Sequence, residues 1–545
     1  MKAQTSRQFL TRLAARRLSR TCLALSLGLT VAGLSTHSVQ AATDTWTGNT
    51  TPNWSQVDGF NVVPTSGDSL VFNAAGSQGT TLTDDLTSAA FTIAGITFSS
   101  TASAYTINGN AFTLTSGITV SSTTSQIINN PITTSGTTLI TLATTGNLTL
   151  GGNLTGNGTI TQNAGTNSAV SVTLSGSDNS GFTGSFTQSS NTGNRTNINS
   201  AGAGSASAAW TFNRAVAGAV ALNFGTGTIN FGSLAGGGFF RNNTTNTTST
   251  ISVGALNTST TFSGQLNLNG TANIALTKVG TGTLTLSGPS TYTGATTVNG
   301  GILSVTGSLT GTSGVTVNSG GTLGISGSGT TINTAALITV NSGGTVRGSG
   351  PSTNSLATAT ATAGAITVAS GGIASFGVNT TGTNFATVTN ASTFIANVSA
   401  TSLTLAAGST YNAFLGAQSG VNNGLGNPIG LASLLTLSSN TAGASTLGAA
   451  ALVVNDSAAV ASLVTNEVFK IIQYNTGALL GTFSNGATVM GTSGSTYSIN
   501  YAANDPFVEL TVLTVVPEPG TWAMVAGGAG VLLLAQRARR RRRNA

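Results

Sequence analysis

Ten carboxylates lie between Ala42 and Val516, and their spacing limits the chemistry this chain could attempt. Glycoside hydrolysis needs two carboxyl groups roughly 5 to 10 Å apart, and a calcium-dependent lyase needs clustered Asp or Glu. From Asp178 to Asp456 no carboxylate occurs, so the 277 residues between them can supply neither device. Asp84-Asp85 is the one adjacent pair, and strand neighbours point to opposite faces, so a turn is the expected setting. Asp44, Asp58 and Asp68 could cluster near the start of the body, where Asx-turns account for them without a ligand. The single His (His37) and single Cys (Cys22) both precede Ala42. Beyond that point no hydroxyl has an imidazole base, and no His- or Cys-based metal site can form. Of the two body lysines, Lys278 and Lys470, the first is expected to cover the outer surface. Gly236-Gly237-Gly238 and Gly280-Thr281-Gly282 open no helix and read as corner glycines rather than phosphate loops. Phe239-Phe240-Arg241 could stack on a sugar, but interior packing is the expected use. No catalytic residue, metal or cofactor is expected.

The net charge of +7 over 545 residues suggests a basic protein until the charges are placed. Lys2, Arg7, Arg12, Arg16, Arg17 and Arg20 open the chain, and Arg537 and Arg539 to Arg543 lie near its end. The body between Ala42 and Val516 has six cations against ten carboxylates, a net charge of −4. No nucleic-acid partner is therefore expected. Charged residues make up 5% of the chain, where a soluble domain has roughly 25%. Hydrophobic residues reach 39%, enough apolar surface to argue against a disordered chain.

Residues 1–41 read as a secretory signal peptide: a basic segment to Arg20, an apolar run from Cys22 to Leu34, and small residues at Val39 and Ala41. Cleavage by signal peptidase is expected between Ala41 and Ala42.

The body is rich in Thr, Ser, Gly, Asn and Ala, with alternating segments such as Thr283-Leu284-Thr285-Leu286 and Val315-Thr316-Val317. That alternation places apolar side chains on one face and hydroxyls on the other, which is the pattern of a half-buried strand. Val315-Thr-Val-Asn-Ser-Gly-Gly-Thr322 recurs as Ile338-Thr-Val-Asn-Ser-Gly-Gly-Thr345 and as Ile366-Thr-Val-Ala-Ser-Gly-Gly372. The glycine pairs at 300/301, 320/321, 343/344 and 371/372 are 20, 23 and 28 residues apart, which suits one coil of a right-handed parallel β-helix. Thr, Ser and Asn at equivalent positions should form ladders between coils.

Two stretches resemble known families. Pro517-Glu518-Pro519, the apolar run Gly520 to Ala535 and the cluster including Arg539, Arg540 and Arg541 together resemble a PEP-CTERM sorting signal. That resemblance implies an exosortase-like membrane protease as partner, a transient hydrophobic anchor, delivery to the outer surface and an association with exopolysaccharide. Residues 276–305 resemble the autotransporter-associated β-strand, or passenger-associated transport, repeat. The pattern Trp46, Asn53-Trp54, Gly67-Asp68 and Phe72 also resembles the start of such proteins. The residues after the helix leave no room for a translocator barrel, so the repeat is expected without one.

The expected organisation is a signal peptide over 1–41, an N-terminal cap over 42–90, a β-helix over 91–455, a C-terminal β module over 456–516 and a sorting signal over 517–545. The expected function is that of a non-catalytic surface or matrix protein of structural or adhesin-like character. A polysaccharide-active enzyme with a site in the N-terminal cap and a permanently tail-anchored envelope protein are the rival readings.

Overall fold

The structure, a computed structural model, describes residues 41–516 apart from 49–50, 57–58, 87–90, 165–169, 190–193, 215–218, 267–272, 328, 350–359, 377–396, 423–427, 433, 440, 442–443, 457–462, 476–477 and 502–505. It also describes 531, 533–537 and 539–540. The chain divides into two units, residues 1–41 and 42–545, and the architecture below is that of the second.

Alternating Thr and aliphatic residues form short strands, and each strand lies in parallel on its counterpart one coil earlier. Thr43–Trp46 pairs with Ser69–Phe72, which pairs with Thr92–Phe98, which pairs with Phe112–Val120. The same relation carries through Asn273–Lys278, Thr296–Val298, Gly314–Val317, Leu337–Val340 and Ile366–Val368 to Leu403–Leu405. The fold is thus an all-β parallel solenoid with almost no helix, one short 3-10 turn occurring at Ala201–Ala203. Among the described residues its strands form sheets of 20, 9 and 19 members. The smallest runs from Thr81–Asp84 to Gln265–Leu266, and the third begins at Thr260–Phe262. The coil cross-section therefore changes near residue 265.

Register is held while coil length varies. Val298, Val317, Val340, Val368 and Leu405 lie directly above one another, at steps of 19, 23, 28 and 37 residues. The glycine pairs explain how. Gly320, Gly343 and Gly371 have φ of +77°, +74° and +76°, a region that side chains with a Cβ avoid. Their amides link consecutive corners: Gly320 N donates to Gly343 O at 3.0 Å, and Gly343 N to Gly371 O at 2.9 Å. The second glycine has a different role, since a Cβ on Gly344 would lie 2.6 Å from the Val317 carbonyl oxygen.

Inward columns of Val, Ile and Leu make one continuous core, each side chain worth roughly 1.5–3 kcal/mol on burial. Aromatic rings thicken it in the first half, where Phe182, Phe186, Trp210, Phe212, Phe231, Phe240 and Phe262 pack ring to ring. Trp46 and Trp54 pack edge-on against Phe60 beside the first strand. At the other end, Val468–Gln473, Phe507–Thr514, Thr496–Asn500 and Thr488–Met490 pair antiparallel, so the parallel stacking gives way to a meander. Covered ends are what an otherwise open parallel stack requires.

Candidate functional site

The broadest candidate is the outward face of the long sheet. Thr277, Thr297, Thr316, Thr339, Thr367, Thr404 and Thr446 stand in one register column, each on an outward position between two buried neighbours or beside one. A second column beside it is an amide ladder: Asn318 Nδ2 donates to Asn299 Oδ1, and Asn341 Nδ2 to Asn318 Oδ1, both at 2.7 Å. Further ladders join Asn243 to Asn223 at 2.7 Å, Asn223 to Asn199 at 2.9 Å and Asn129 to Asn108 at 2.8 Å. The middle amides, Asn318 and Asn223, each use their oxygen and one N–H within the ladder, which fixes their orientation and leaves each a further lone pair and proton. The result is a repeating face of hydroxyls, methyls and amides with no carboxylate between Thr277 and Thr446.

Lys278 is not on that surface. It shares the inward parity of Leu276, stands between Val253 and Val298 in an interior column, and is 1% exposed. Its Nζ donates to the carbonyl oxygens of Val279 at 2.6 Å, Gly280 at 3.0 Å and Gly300 at 3.2 Å. The ammonium thus ties the corner of one coil to the corner of the next. Burial pulls its pKa down to about 8. Lys278→Met keeps the aliphatic volume and removes the donors, and is expected to cost about 2 kcal/mol. Between about pH 8 and the ordinary lysine range the unfolded chain holds a proton that the folded chain has lost. Stability of the parent should therefore rise with pH over that window, and the Met variant should not follow it in chemical denaturation.

Phe240 is likewise interior, packed against Phe212, Phe231 and Phe262, while Phe239 and Arg241 alternate to the partly exposed side.

The carboxylates form no open pair. Asp84 and Asp85 diverge as strand neighbours should. Asp84 is buried, its pKa pushed up to about 7, chiefly by burial. Asp85 instead accepts from the Ser55 amide at 2.8 Å and hydroxyl at 2.6 Å. Asp178 forms an exposed turn, accepting from the Ser180 amide at 3.0 Å. Asp44 and Asp68 do come together, in hydrogen-bond contact and 2% and 3% exposed. That is closer than the separation glycoside hydrolysis uses, and too buried to admit a sugar ring. Asp58 lies outside the described residues. Asp456 is wholly buried and accepts from the Ser493 amide at 2.7 Å and the Tyr497 hydroxyl at 2.6 Å. Among the described residues no group of three His, Cys, Asp or Glu is placed to hold a metal.

Of the expected address labels, Ala41 and Ala42 are described and immediately precede the first strand. Pro517, Glu518, Pro519 and Arg541 lie outside the described residues. Leu533 to Arg537, Arg539 and Arg540 are helical and exposed where they are described. No helix among the described residues is long and apolar enough to cross a membrane.

Sequence reasoning anticipated that Asp44 and Asp68 could cluster, but it missed the inward Lys278 and the burial of Asp44, although parity was a signal for both. Lys278 shares the phase of Leu276, and Asp44 that of Trp46.

Residues 276–305 match the Passenger-associated-transport-repeat family. No curated protein and no solved structure matches the chain. The geometry explains what the repeat encodes: Leu276 to Thr296 is one full coil, and the rest begins the next. Lys278, Leu284, Leu286, Tyr292, Val298 and Leu303 are its interior residues. Tyr292 OH and Thr312 Oγ1 both bond Thr296 Oγ1, at 2.6 and 3.0 Å, closing a buried hydroxyl chain inside the coil. This repeat and the β-solenoid fit an exported, passenger-like surface protein.

Proposed function

We propose that the chain is an exported, non-catalytic component of the cell surface or extracellular matrix, structural or adhesin-like, whose hydroxyl and amide face makes many weak contacts to neutral exopolysaccharide. The observation that carries this is the register column from Thr277 to Thr446 beside the asparagine ladder. A rigid sheet presents such groups at the inter-strand spacing of about 4.8 Å, so a polymer can meet several at once without ordering a loop. The lack of carboxylates between Asp178 and Asp456 supports a mechanical rather than a hydrolytic role. In this reading the winding is right-handed, as crossovers between parallel strands are. Signal peptidase cuts between Ala41 and Ala42. An exosortase-like protease reads Pro517-Glu518-Pro519, the apolar run and Arg539 to Arg541.

Retention on cellulose and curdlan particles tests the contact. Replacing Thr316, Thr339 and Thr367 together by Val keeps β-branching and removes three hydroxyls. Binding should weaken by about 2 kcal/mol, roughly thirtyfold, with an unchanged circular dichroism spectrum. A parent protein that is retained on neither glycan refutes the contact; turnover of either glycan would favour an enzyme. Intact mass of the exported protein tests the labels, since a product that keeps Trp522 to Arg543 has not been processed at its tail and is a permanent anchor.

A further inference from the structure

Asp44 occupies an odd place. In the next coils its interior column continues as Leu70, Ile96, Ile118 and Ile140. An acid thus stands where each of the next four coils has an aliphatic residue, before the column turns polar again at Gln162 and Gln188. Its carboxyl group lies in hydrogen-bond contact with that of Asp68, and no amide or hydroxyl among the described residues donates to its buried Oδ2. Asp68 is well supplied. It accepts from the Thr65 amide and hydroxyl, each at 2.7 Å, and from the backbone amide of Ala42, also at 2.7 Å. Ala42 is fixed in turn, its carbonyl accepting from the Ser69 amide at 2.8 Å.

Two buried acids in contact need a shared proton or a cation, and no basic side chain close in sequence offers the cation. From Ala42 to Asn194 the sequence has no Lys, Arg or His. The strands stacked next to the pair, Ser69–Phe72 and Thr92–Phe98, contain no titratable residue. Two backbone amides donate to the pair, those of Thr65 and Ala42, and of these the Ala42 nitrogen is the one that cleavage would turn into an amine.

We propose that Asp44 and Asp68 form the binding site for the α-ammonium group of Ala42, created when the leader is removed. The inference rests on the reading that cleavage falls between Ala41 and Ala42. In that hydrolysis one water molecule is consumed: its hydroxyl completes the carboxyl group of Ala41, and the Ala42 nitrogen becomes an amine that is protonated at neutral pH. A peptide amide donating one hydrogen bond to Asp68 is replaced by a cation with three donors at the same position. Removal of the leader then offsets one of the two acid charges and locks the first strand into the stack.

The electrostatics of the uncut chain agree. Burial, then the Asp68 charge, push Asp44 up to about 6. Burial raises Asp68 too, but the bonds from Thr65 and Ala42 outweigh it and hold Asp68 below the ordinary carboxylate value. A cation between them would favour ionisation of both. In the cut chain the amine, raised by the acids, stabilises the fold below its unfolded value of about 7.7–8.0, and that contribution is lost as pH rises through its folded value. Asp68, held low, contributes above the ordinary carboxylate range. The stabilisation is therefore greatest between about pH 5 and 7.

The test uses the full chain exported from a Gram-negative host. Its first residue is read by mass spectrometry, and its amines are dimethylated with 13C-formaldehyde and titrated by NMR. The α-amine is expected to titrate at least one pH unit above its ordinary range, a tenfold gain in proton affinity. Asp68→Asn should return it to that range, and Asp44→Asn should move it part of the way. Acetylation of the α-amine in the otherwise unaltered exported protein should lower its melting temperature at pH 6 and leave it unchanged at pH 10, a comparison that needs no variant to fold. A product that starts at Ala42 with an ordinary, acetylation-insensitive amine overturns the proposal while leaving the cleavage reading intact. A product that starts elsewhere overturns both.

Discussion

Trp210→Ala should destabilise the first half of the solenoid by about 3–5 kcal/mol. Trp210 is fully buried on Ser205–Phe212 and meets Phe186 at 5.3 Å, Phe231 at 5.2 Å, and Phe182 and Phe212 at 6.2 Å between ring centroids. Alanine removes the whole ring system, and rigid strands on both sides limit how far the cavity can collapse. The indole nitrogen also donates to the Ser205 carbonyl at 3.2 Å, so that acceptor loses its partner. Because each coil touches chiefly its neighbours, the effect should be local. Hydrogen exchange should accelerate in strands from Ser185–Gln188 to Phe239–Asn242, with little change beyond Leu337–Val340. Trp210→Phe, which keeps a ring in the column, should lose less than half as much. Equal exchange in parent and Ala variant would show that the aromatic column does not hold these coils.

Asp456→Ala should cost about 4 kcal/mol and release the C-terminal meander. Besides the Ser493 amide and the Tyr497 hydroxyl, the Thr492 hydroxyl at 3.0 Å and the Ser493 hydroxyl donate to this carboxylate. Removing the acceptor strands the buried Tyr497 hydroxyl, worth about 1–3 kcal/mol when unsatisfied, and takes from the Thr492 and Ser493 donors the group that gathers them. Burial, the largest cause of the raised Tyr497 pKa, persists without Asp456, so the hydroxyl does not ionise to escape the loss. Asp456→Asn separates shape from acceptor capacity. It fills the same space but offers one oxygen to four donors, and should still cost about 2 kcal/mol. Protease cleavage within residues 463–516 should quicken in both variants while the fluorescence of Trp210 stays that of the parent. Unchanged cleavage in the alanine variant would mean that the meander is held by its apolar contacts alone.

These two sites differ in how far the sequence anticipates them. Strand phase is local: in Thr283-Leu284-Thr285-Leu286 and Val315-Thr316-Val317 a period of two assigns every side chain to core or surface. The glycine pairs at 320/321 and 343/344 are legible for the same reason, since a left-handed corner and a close approach each leave glycine as the residue that fits. The Passenger-associated-transport-repeat match at 276–305 falls where one coil has the most regular version of this pattern. Lys278 shows where a local reading went astray. Its parity points inward, but a charge is expected outside unless acceptors are known to wait, and one of them is the carbonyl of Gly300, a full coil later.

The distribution of charge belongs to the same division. The sequence alone fixes that cations crowd both ends, that none lies between Ala42 and Asn194, and that Asp178 and Asp456 bracket an acid-free stretch. It also fixes which residues face inward, because alternation is a property of neighbouring residues. Which distant residues meet was decided by the tertiary structure: Ala42 with Asp68, Asp456 with Tyr497, and seven threonines in one column. Coil steps range from 19 to 37 residues between Val298 and Leu405. Contact between coils is set by the three-dimensional register that backbone hydrogen bonds and side-chain packing impose, and no fixed sequence spacing encodes it.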